Sequence, residues 1–232
     1  MAFVPQGCLA CPVRGPHCFC TLDIEALGSL DVIGSRLSLG AHERVLWEGA
    51  LPDHVYVVCR GTIKLTTSSK DGRLLILRIA GPGDVLGLAA ALKGSRYEAT
   101  AETLEPVQLK AIARSEFLRF MEEFRAVSRN SAEAVAREYE AVVLSARRLA
   151  LSGSAAAKLA SVLLEWGRMS DGGGPEMRFR MSLTHEELGH MAGMSRETTT
   201  RTLAAFRRGG LLEVDGDWMR IVSPERMERM YC

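Results

Sequence analysis

At 232 residues, with 47% hydrophobic side chains, the chain has the length for one large domain or two ordinary ones, and two is the reading adopted. The 29 Lys and Arg against 28 Asp and Glu leave a net charge of +1. That excludes a uniformly basic nucleic-acid binder, so attraction to phosphate has to come from a local patch. No run approaches the roughly 18 apolar residues of a membrane span; the longest candidate, 85–92, is about half of that and contains Gly87. The start MAFVPQGCLACPVRG lacks the basic and apolar regions of a signal peptide, so the expected location is the cytoplasm, with no membrane contact.

Residues 1–21 are rich in Pro, Gly and Cys and show no periodicity, which predicts an irregular loop held by something other than a core. Four of the six cysteines lie here, Cys8, Cys11, Cys18 and Cys20, spaced C-x2-C-x6-C-x-C. A dense thiol cluster in a cytosolic chain reads as metal-binding or redox-active. Iron–sulfur clusters are commonly held by four thiolates, and a loop with Gly and Pro lets several sulfurs converge. Structural zinc is the first alternative, with His17 available beside Cys18, although zinc sites usually space their ligand pairs farther apart. A thiol–disulfide switch is the second. A thiol oxidoreductase using Cys8 and Cys11 is a reading from another class, but such a motif usually opens a helix after a strand, and here Pro12 follows.

Leu22, Leu27, Leu30 and Ile33 recur at helical spacing and predict one short helix within 22–37. From Ser38 to about Arg114, short Val-, Ile- and Leu-rich runs alternate with glycines, the texture of a small antiparallel sandwich or barrel, with Asp71 and Gly72 a hairpin signal. After Ser115 a helical region begins. Ala132, Val135, Tyr139, Val142, Ala146 and Leu149 recur at steps of three and four, which suits both a two-helix seam and a helix packed on its own domain. Residues 151–155 (LSGSA) interrupt it, Ser154 to Trp166 make a further helix, and 169–175 a loop.

Residues 183–211 (LTHEELGHMAGMSRETTTRTLAAFRRGGL) then read as helix, turn and helix. Thr184 and Glu187 form a capping-box pattern, Gly193 breaks the first helix, Ser195 caps the second, and Gly209 and Gly210 end it. Ser195, Arg196, Glu197, Thr200 and Arg201 are the candidate DNA-binding residues: arginine pairs with guanine, glutamate accepts from cytosine, and threonine serves either edge or a phosphate. The arginines at 178, 180, 207 and 208 supply a local basic patch. Such a segment also occurs as a plain structural corner with a solvated polar face. Asp215 and Gly216 turn a two-stranded hairpin, or wing, between 211–214 and 218–222.

The run MSRETTTR (194–201), followed by a wing, resembles the recognition helix of the superfamily of the cyclic-AMP receptor protein and the fumarate-and-nitrate-reduction regulator (CRP/FNR). The order of Gly49, the strand from Tyr56 to Gly61, Gly72 and 82–84 is similar to that superfamily's cyclic-nucleotide-binding-type jelly roll. The resemblance implies an α+β fold: a cysteine-rich loop over 1–21, a jelly-roll sensor domain over 22–114, a dimerisation helix region over 115–151 and a winged helix-turn-helix domain over 152–232. It implies a homodimeric transcription regulator, not an enzyme, on a pseudo-palindromic promoter site in double-stranded DNA, with RNA polymerase as a further partner. Arg196, Glu197 and Arg201 would read the outer bases of each half-site, and Arg196 resembles the branch whose half-site is of the TGTGA kind.

Two departures bear on the signal. Where the cyclic-AMP branch has a glutamate for the ribose this chain has Leu88, Ala89 and Ala90, and Arg96 lacks the arginine–serine pair that holds the cyclic phosphate. Cys8, Cys11 and Cys18 resemble the N-terminal triplet that ligates a four-iron four-sulfur (4Fe-4S) cluster in the oxygen-sensing branch, but the stretch matching that branch's fourth cysteine, 105–110 (EPVQLK), has none. The fourth ligand is then Cys20, Cys59 or a residue other than cysteine. Cys20 is favoured because it lies in the same loop, although Cys-x-Cys is tight; Cys59, in phase with Val55 and Val57, reads as a small buried hydrophobe. The resulting expectation is a sensor of oxygen, nitric oxide or redox state. A regulator of the same fold with a small ligand in its barrel, and zinc or no metal at the cysteines, stands as the alternative.

Overall fold

The computed structural model describes residues 7–171 and 177–232. The chain divides into two compact units: residues up to Thr67 with Leu77–Ala141, and Ser68–Ile76 with Val142–Cys232.

In the first unit the N-terminal loop makes one 3-10 turn, Cys8–Ala10, and leads to helix α1, Ile24–Val32, whose N-terminus is capped by the Asp23 carboxylate accepting from the Ala26 N–H at 2.9 Å. This is the short helix expected within 22–37, and it ends at Val32. Gly34 turns the chain at φ 64°, with its Cα so close to the Ala111 carbonyl that a side chain would collide, and Ser35–Leu39 becomes strand β1. Strands β2 Arg44–Leu46, β3 His54–Arg60, β4 Ile63–Ser68, β5 Leu74–Ala80, β6 Val85–Leu86, β7 Thr100–Thr103 and β8 Val107–Ala113 complete two four-stranded sheets, ordered β1-β8-β3-β6 and β2-β7-β4-β5. Gly72, at φ 77°, turns the chain between β4 and β5. Helix α2, Leu88–Lys93, follows β6.

Because strand side chains alternate, β3 feeds two cores. Val55 and Val57 join Phe19, Leu27, Leu30, Phe117 and Val127, whereas Val58 joins Ile63, Leu65, Leu86, Tyr97 and Leu109 inside the barrel. Helices α3, Arg114–Glu123, and α4, Arg125–Leu151, close this region. On α4, Ala132, Tyr139, Val142 and Ala146 are exposed and Val135 and Leu149 half-buried; Tyr139 keeps 70% of its surface in solvent.

The second unit starts inside α4, not at the Leu151 break where composition put the boundary. Arg148 is the reason: its guanidinium, 4% exposed, reaches Glu165 Oε2 at 2.7 Å, Ser145 Oγ at 3.1 Å and the Met191 carbonyl at 3.3 Å. Helix α5, Ala155–Asp171, runs past the expected end at Trp166 and takes in 169–171; residues 172–175 of the loop expected there lie outside the described residues. Strand β9, Met177–Arg180, precedes helices α6, His185–Ala192, and α7, Arg196–Arg208; β10, Leu212–Asp215, β11, Trp218–Ile221, and α8, Pro224–Tyr231, follow. The wing is thus a three-stranded sheet, β10-β11-β9, rather than a hairpin, because Met177 and Phe179 alternate into the core. Among the described residues no helix is long and apolar enough to cross a membrane.

Candidate DNA interface and cysteine-lined cavity

The helix-turn-helix forms by the local chemistry its sequence carries. Thr184 and Glu187 close a reciprocal capping box: Thr184 Oγ1 accepts from the Glu187 N–H at 3.2 Å, and the Thr184 N–H donates to Glu187 Oε2 at 2.9 Å. Gly193, at φ 64°, ends α6, and Ser195 Oγ accepts from the Thr198 N–H at 3.3 Å to start α7. Gly189 lies where the two helices cross; a Cβ there would stand 2.7 Å from the Met194 carbonyl.

Helical periodicity splits α7 into two faces. Thr199, Thr202, Leu203 and Phe206 are buried, while Ser195, Arg196, Glu197, Thr200 and Arg201 are all exposed. The backbone N–H of Glu197 and the Ser195 hydroxyl hold the Glu197 carboxyl below its usual range, so it is an acceptor at neutral pH. His185 Nδ1 stands 2.9 Å from Thr200 Oγ1, orienting that hydroxyl from α6. Nothing local in the sequence links these two positions, which lie on different helices. Of the expected basic patch, Arg207 and Arg208 are exposed at the end of α7, whereas Arg178 lies over the Trp218 ring at 4.9 Å and Arg180 pairs with Asp217 at 3.3 Å. The exposed face of α7 thus presents two guanidinium donors, one carboxylate acceptor and hydroxyls at a helix N-terminus, the set that reads base edges in a major groove.

A second feature lies in the first unit. Cys8, Cys11, Cys18 and Cys20 line one cavity of about 360 Å³, and Cys59 of β3 lines it too, together with Leu30, Val57, Leu109, Arg36 and Lys110. All six cysteines are free thiols. Among the described residues no three His, Cys, Asp or Glu side chains converge on one point as a single ion requires; the thiols are spread around the wall instead. His17 is exposed and is not part of that wall.

The loop is held more firmly than its composition predicts. Phe19 is fully buried with its ring 5.8 Å from Phe117, so the loop does contribute to a core. Its N–H donates to the Gly83 carbonyl at 2.9 Å, and its carbonyl accepts from Asn130 Nδ2 at 2.8 Å; the same nitrogen donates to the Thr21 carbonyl at 3.0 Å. Cys18 packs on Gly83, at φ 92°, where any side chain would collide with its sulfur, and Cys18 Sγ accepts from the Gly15 N–H at 3.2 Å. Asp31 anchors the other end, accepting from the Cys8 N–H at 2.9 Å and from Arg36 at 2.6 Å, and both hold its carboxyl low, the Cys8 N–H more strongly. Lys110 donates to the Asp31 carbonyl at 2.8 Å.

Burial pushes the Cys20 thiol up to about 12 and, with Asp31 beside it, the Cys8 thiol up to about 11; Cys59 is raised as well, first by burial and next by Cys11. Without a metal these are neutral thiols that must lose protons to become ligands. Cys59 is half-buried, not the enclosed small hydrophobe its phase suggested. The phase put it on the correct face of β3, but which segment covers that face is a tertiary fact. In the barrel, α2 turns Leu88, Ala90 and Ala91 into the cores, and Arg96 donates to the Gly49 carbonyl at 2.7 Å.

A jelly roll, a long helix and a winged helix-turn-helix in one chain define the class of DNA-binding regulators that carry a β-sandwich ahead of the helix-turn-helix. Residues 36–124 match the cyclic nucleotide-binding domain family and 157–230 the Crp-like helix-turn-helix domain family. The chain is 27% identical to the nitrogen fixation regulation protein FixK of Bradyrhizobium diazoefficiens, over 97% of this chain and 95% of that one. It is 28% identical to the transcriptional activator protein FnrL of Cereibacter sphaeroides, over 90% and 85%. The structure of FixK2 from Bradyrhizobium japonicum superposes with a TM-score of 0.76 at 22% identity, covering 87% of this chain and 98% of that one. The chain belongs to the CRP/FNR family of DNA-binding transcription regulators.

Proposed function

We propose that this regulator senses oxygen, nitric oxide or redox state through an iron–sulfur cluster of the 4Fe-4S type held by its N-terminal cysteines, and that it acts as a homodimer on a pseudo-palindromic promoter site, with RNA polymerase as its downstream partner. The observation that carries the reading is that Cys8, Cys11, Cys18 and Cys20 of the loop and Cys59 of β3 line one cavity, one thiol more than the four that such a cluster takes. The donor set fits the group. Thiols spread around a space of about 360 Å³ suit a polynuclear centre better than a single tetrahedral zinc, whose sulfurs sit about 2.3 Å from one point. Leu30, Val57 and Leu109 limit solvent, while Arg36 and Lys110 offset the negative charge of several thiolates. When bound, such a cluster supplies a centre that oxygen and nitric oxide oxidise or dismantle.

The chain's own residues carry the response outward. Asn130 ties the loop to α4 through Phe19 and Thr21. A second tie runs from the Gly83 turn: Asp84 lies 3.5 Å from Arg78, which lies 3.6 Å from Glu138 of α4. When the thiols lose their partner, the loop loses its internal cross-links and the registration of α4 changes. The exposed Tyr139, Val142 and Ala146 face of α4 suits a second copy of the chain, and pairing along it sets the spacing of two recognition helices. Only a few kcal/mol of difference between two states is needed to switch them.

A ligand in the barrel fits less well. Its interior is filled by Leu46, Val58, Ile63, Leu65, Tyr97 and Leu109, and the α2 position where a ribose-binding acid is expected carries leucine and alanine. Protein purified without air is expected to be brown and to contain iron and acid-labile sulfide. A colourless zinc protein or a metal-free one contradicts the reading.

Two further outcomes follow from this geometry. Asn130→Ala removes the donor to a buried carbonyl, at a stability cost of about 1–3 kcal/mol. It is expected to leave iron content unchanged while shrinking the difference in DNA affinity between air-free and air-exposed protein; an unchanged difference argues against this route. Arg201→Ala is expected to lose about 1–3 kcal/mol of preference for a site with TGTGA half-sites over a scrambled duplex, with nonspecific binding largely kept. Equal affinity of the unaltered protein for both duplexes, measured by fluorescence anisotropy, removes the basis for that expectation.

A further inference from the structure

Cys59 enters the cysteine-lined cavity from strand β3, a different element from the loop that supplies the other four thiols. Alternation along β3 puts it on the face of Val55 and Val57, the face against which Phe19, Cys8 and Cys20 pack. The register with β8 shifts between Val58, opposite Leu109, and Arg60, opposite Gln108, so Cys59 is the extra residue of a bulge. Bulges re-aim a side chain and release it from strict ladder geometry.

Cys20 is placed differently. Phe19, between Cys18 and Cys20, is pinned by its buried ring, by the Gly83 carbonyl and by Asn130. Bringing two thiols only two residues apart onto separate corners of one cluster requires backbone rearrangement that the buried ring opposes. Cys8, Cys11 and Cys18 are separated by two and six residues, and Cys59 joins them at the same cavity from β3.

We propose that Cys59 is the fourth thiolate of the cluster, completing Cys8, Cys11 and Cys18, and that Cys20 is left outside the ligand set. The inference rests on the reading that the cavity holds an iron–sulfur cluster. On loading, the Cys59 thiol releases its proton to solvent and its sulfur binds iron, with no change of oxidation state at sulfur. The cluster then adds a tie between the N-terminal loop and β3, and its loss removes that tie while Phe19 and Asp31 keep the loop's other anchors.

The test loads full-length protein anaerobically with equal amounts of ferrous and ferric iron and with sulfide, and measures iron, acid-labile sulfide and visible absorption per chain. Cys59→Ser and Cys59→Ala are expected to lower cluster retention by more than about 10-fold, while Cys20→Ser loads like the unaltered chain. Loading of both Cys59 variants to the unaltered level overturns the inference, and so does failure of Cys20→Ser to load. Against misfolding of the Cys59 variants, a second measurement uses the unaltered chain: alkylation of Cys59 by iodoacetamide, followed by mass spectrometry, is expected to be strongly slower in loaded than in metal-free protein, and equal rates overturn the assignment. If the unaltered chain takes up no iron and sulfide, the cluster reading fails first and this inference with it, an outcome distinct from a defect confined to Cys59.

Discussion

Replacing Cys11 by serine is expected to leave a folded, DNA-binding protein that no longer responds to air. Cys11 is half-buried on the cavity wall and lies outside both hydrophobic cores of the first unit. The anchors of the loop, Phe19 in the core and Asp31 against the Cys8 N–H, are untouched by the change. The fold therefore keeps its support while the thiol set loses a member. Moving a two-state equilibrium from one end to the other takes about 5.5 kcal/mol of differential binding, and a cavity that cannot load supplies none of it. Anisotropy titrations of duplex DNA under nitrogen and after air exposure should give one affinity for Cys11→Ser and two for the unaltered chain. A variant that still shows both affinities would place the sensor elsewhere.

The second large effect lies in the DNA-binding unit. Arg148 is 4% exposed and reaches Glu165 of α5, the Met191 carbonyl of α6 and Ser145 on its own helix, so one guanidinium joins three helices. Removing one partner of a buried pair costs about 3–5 kcal/mol because the remaining charge stays buried without its counterion. Glu165 keeps 32% of its side chain in solvent, which places Glu165→Leu toward the lower end of that range. Arg148→Met combined with Glu165→Leu is expected to recover most of the loss, since an apolar pair of similar volume leaves no charge unpaired. Urea unfolding of the two variants checks this. A Glu165→Leu chain within about 0.5 kcal/mol of the unaltered protein would make the pair energetically idle.

The parts legible in the sequence are those where neighbours along the chain do the work. Thr184 with Glu187, Gly193, Ser195 and the periodicity of α7 are local devices, and each forms as read. The glycine-punctuated strands and the Gly72 turn were legible for the same reason, as was the break after Leu151. The third strand of the wing was missed because the alternation of Met177 with Phe179 spans only four residues and follows a glycine run. The short helix within 22–37 was legible, but not where it stops, because the approach of Gly34 to β8 lies far away in sequence.

Residue types and spacings along the chain thus set the recognition helix, the strand texture and the presence of a thiol-rich loop, since hydrogen bonds and periodicities within a few residues dictate all three. Long-range packing settled what those thiols meet. Phe19 is drawn into the core by burial of its ring, Asn130 reaches across 111 positions to hold its carbonyl, and Cys59 of β3 shares one cavity with the thiols of the loop. A side chain's partner across a sheet or a helix crossing depends on how whole elements stack, and no window of local sequence contains that geometry.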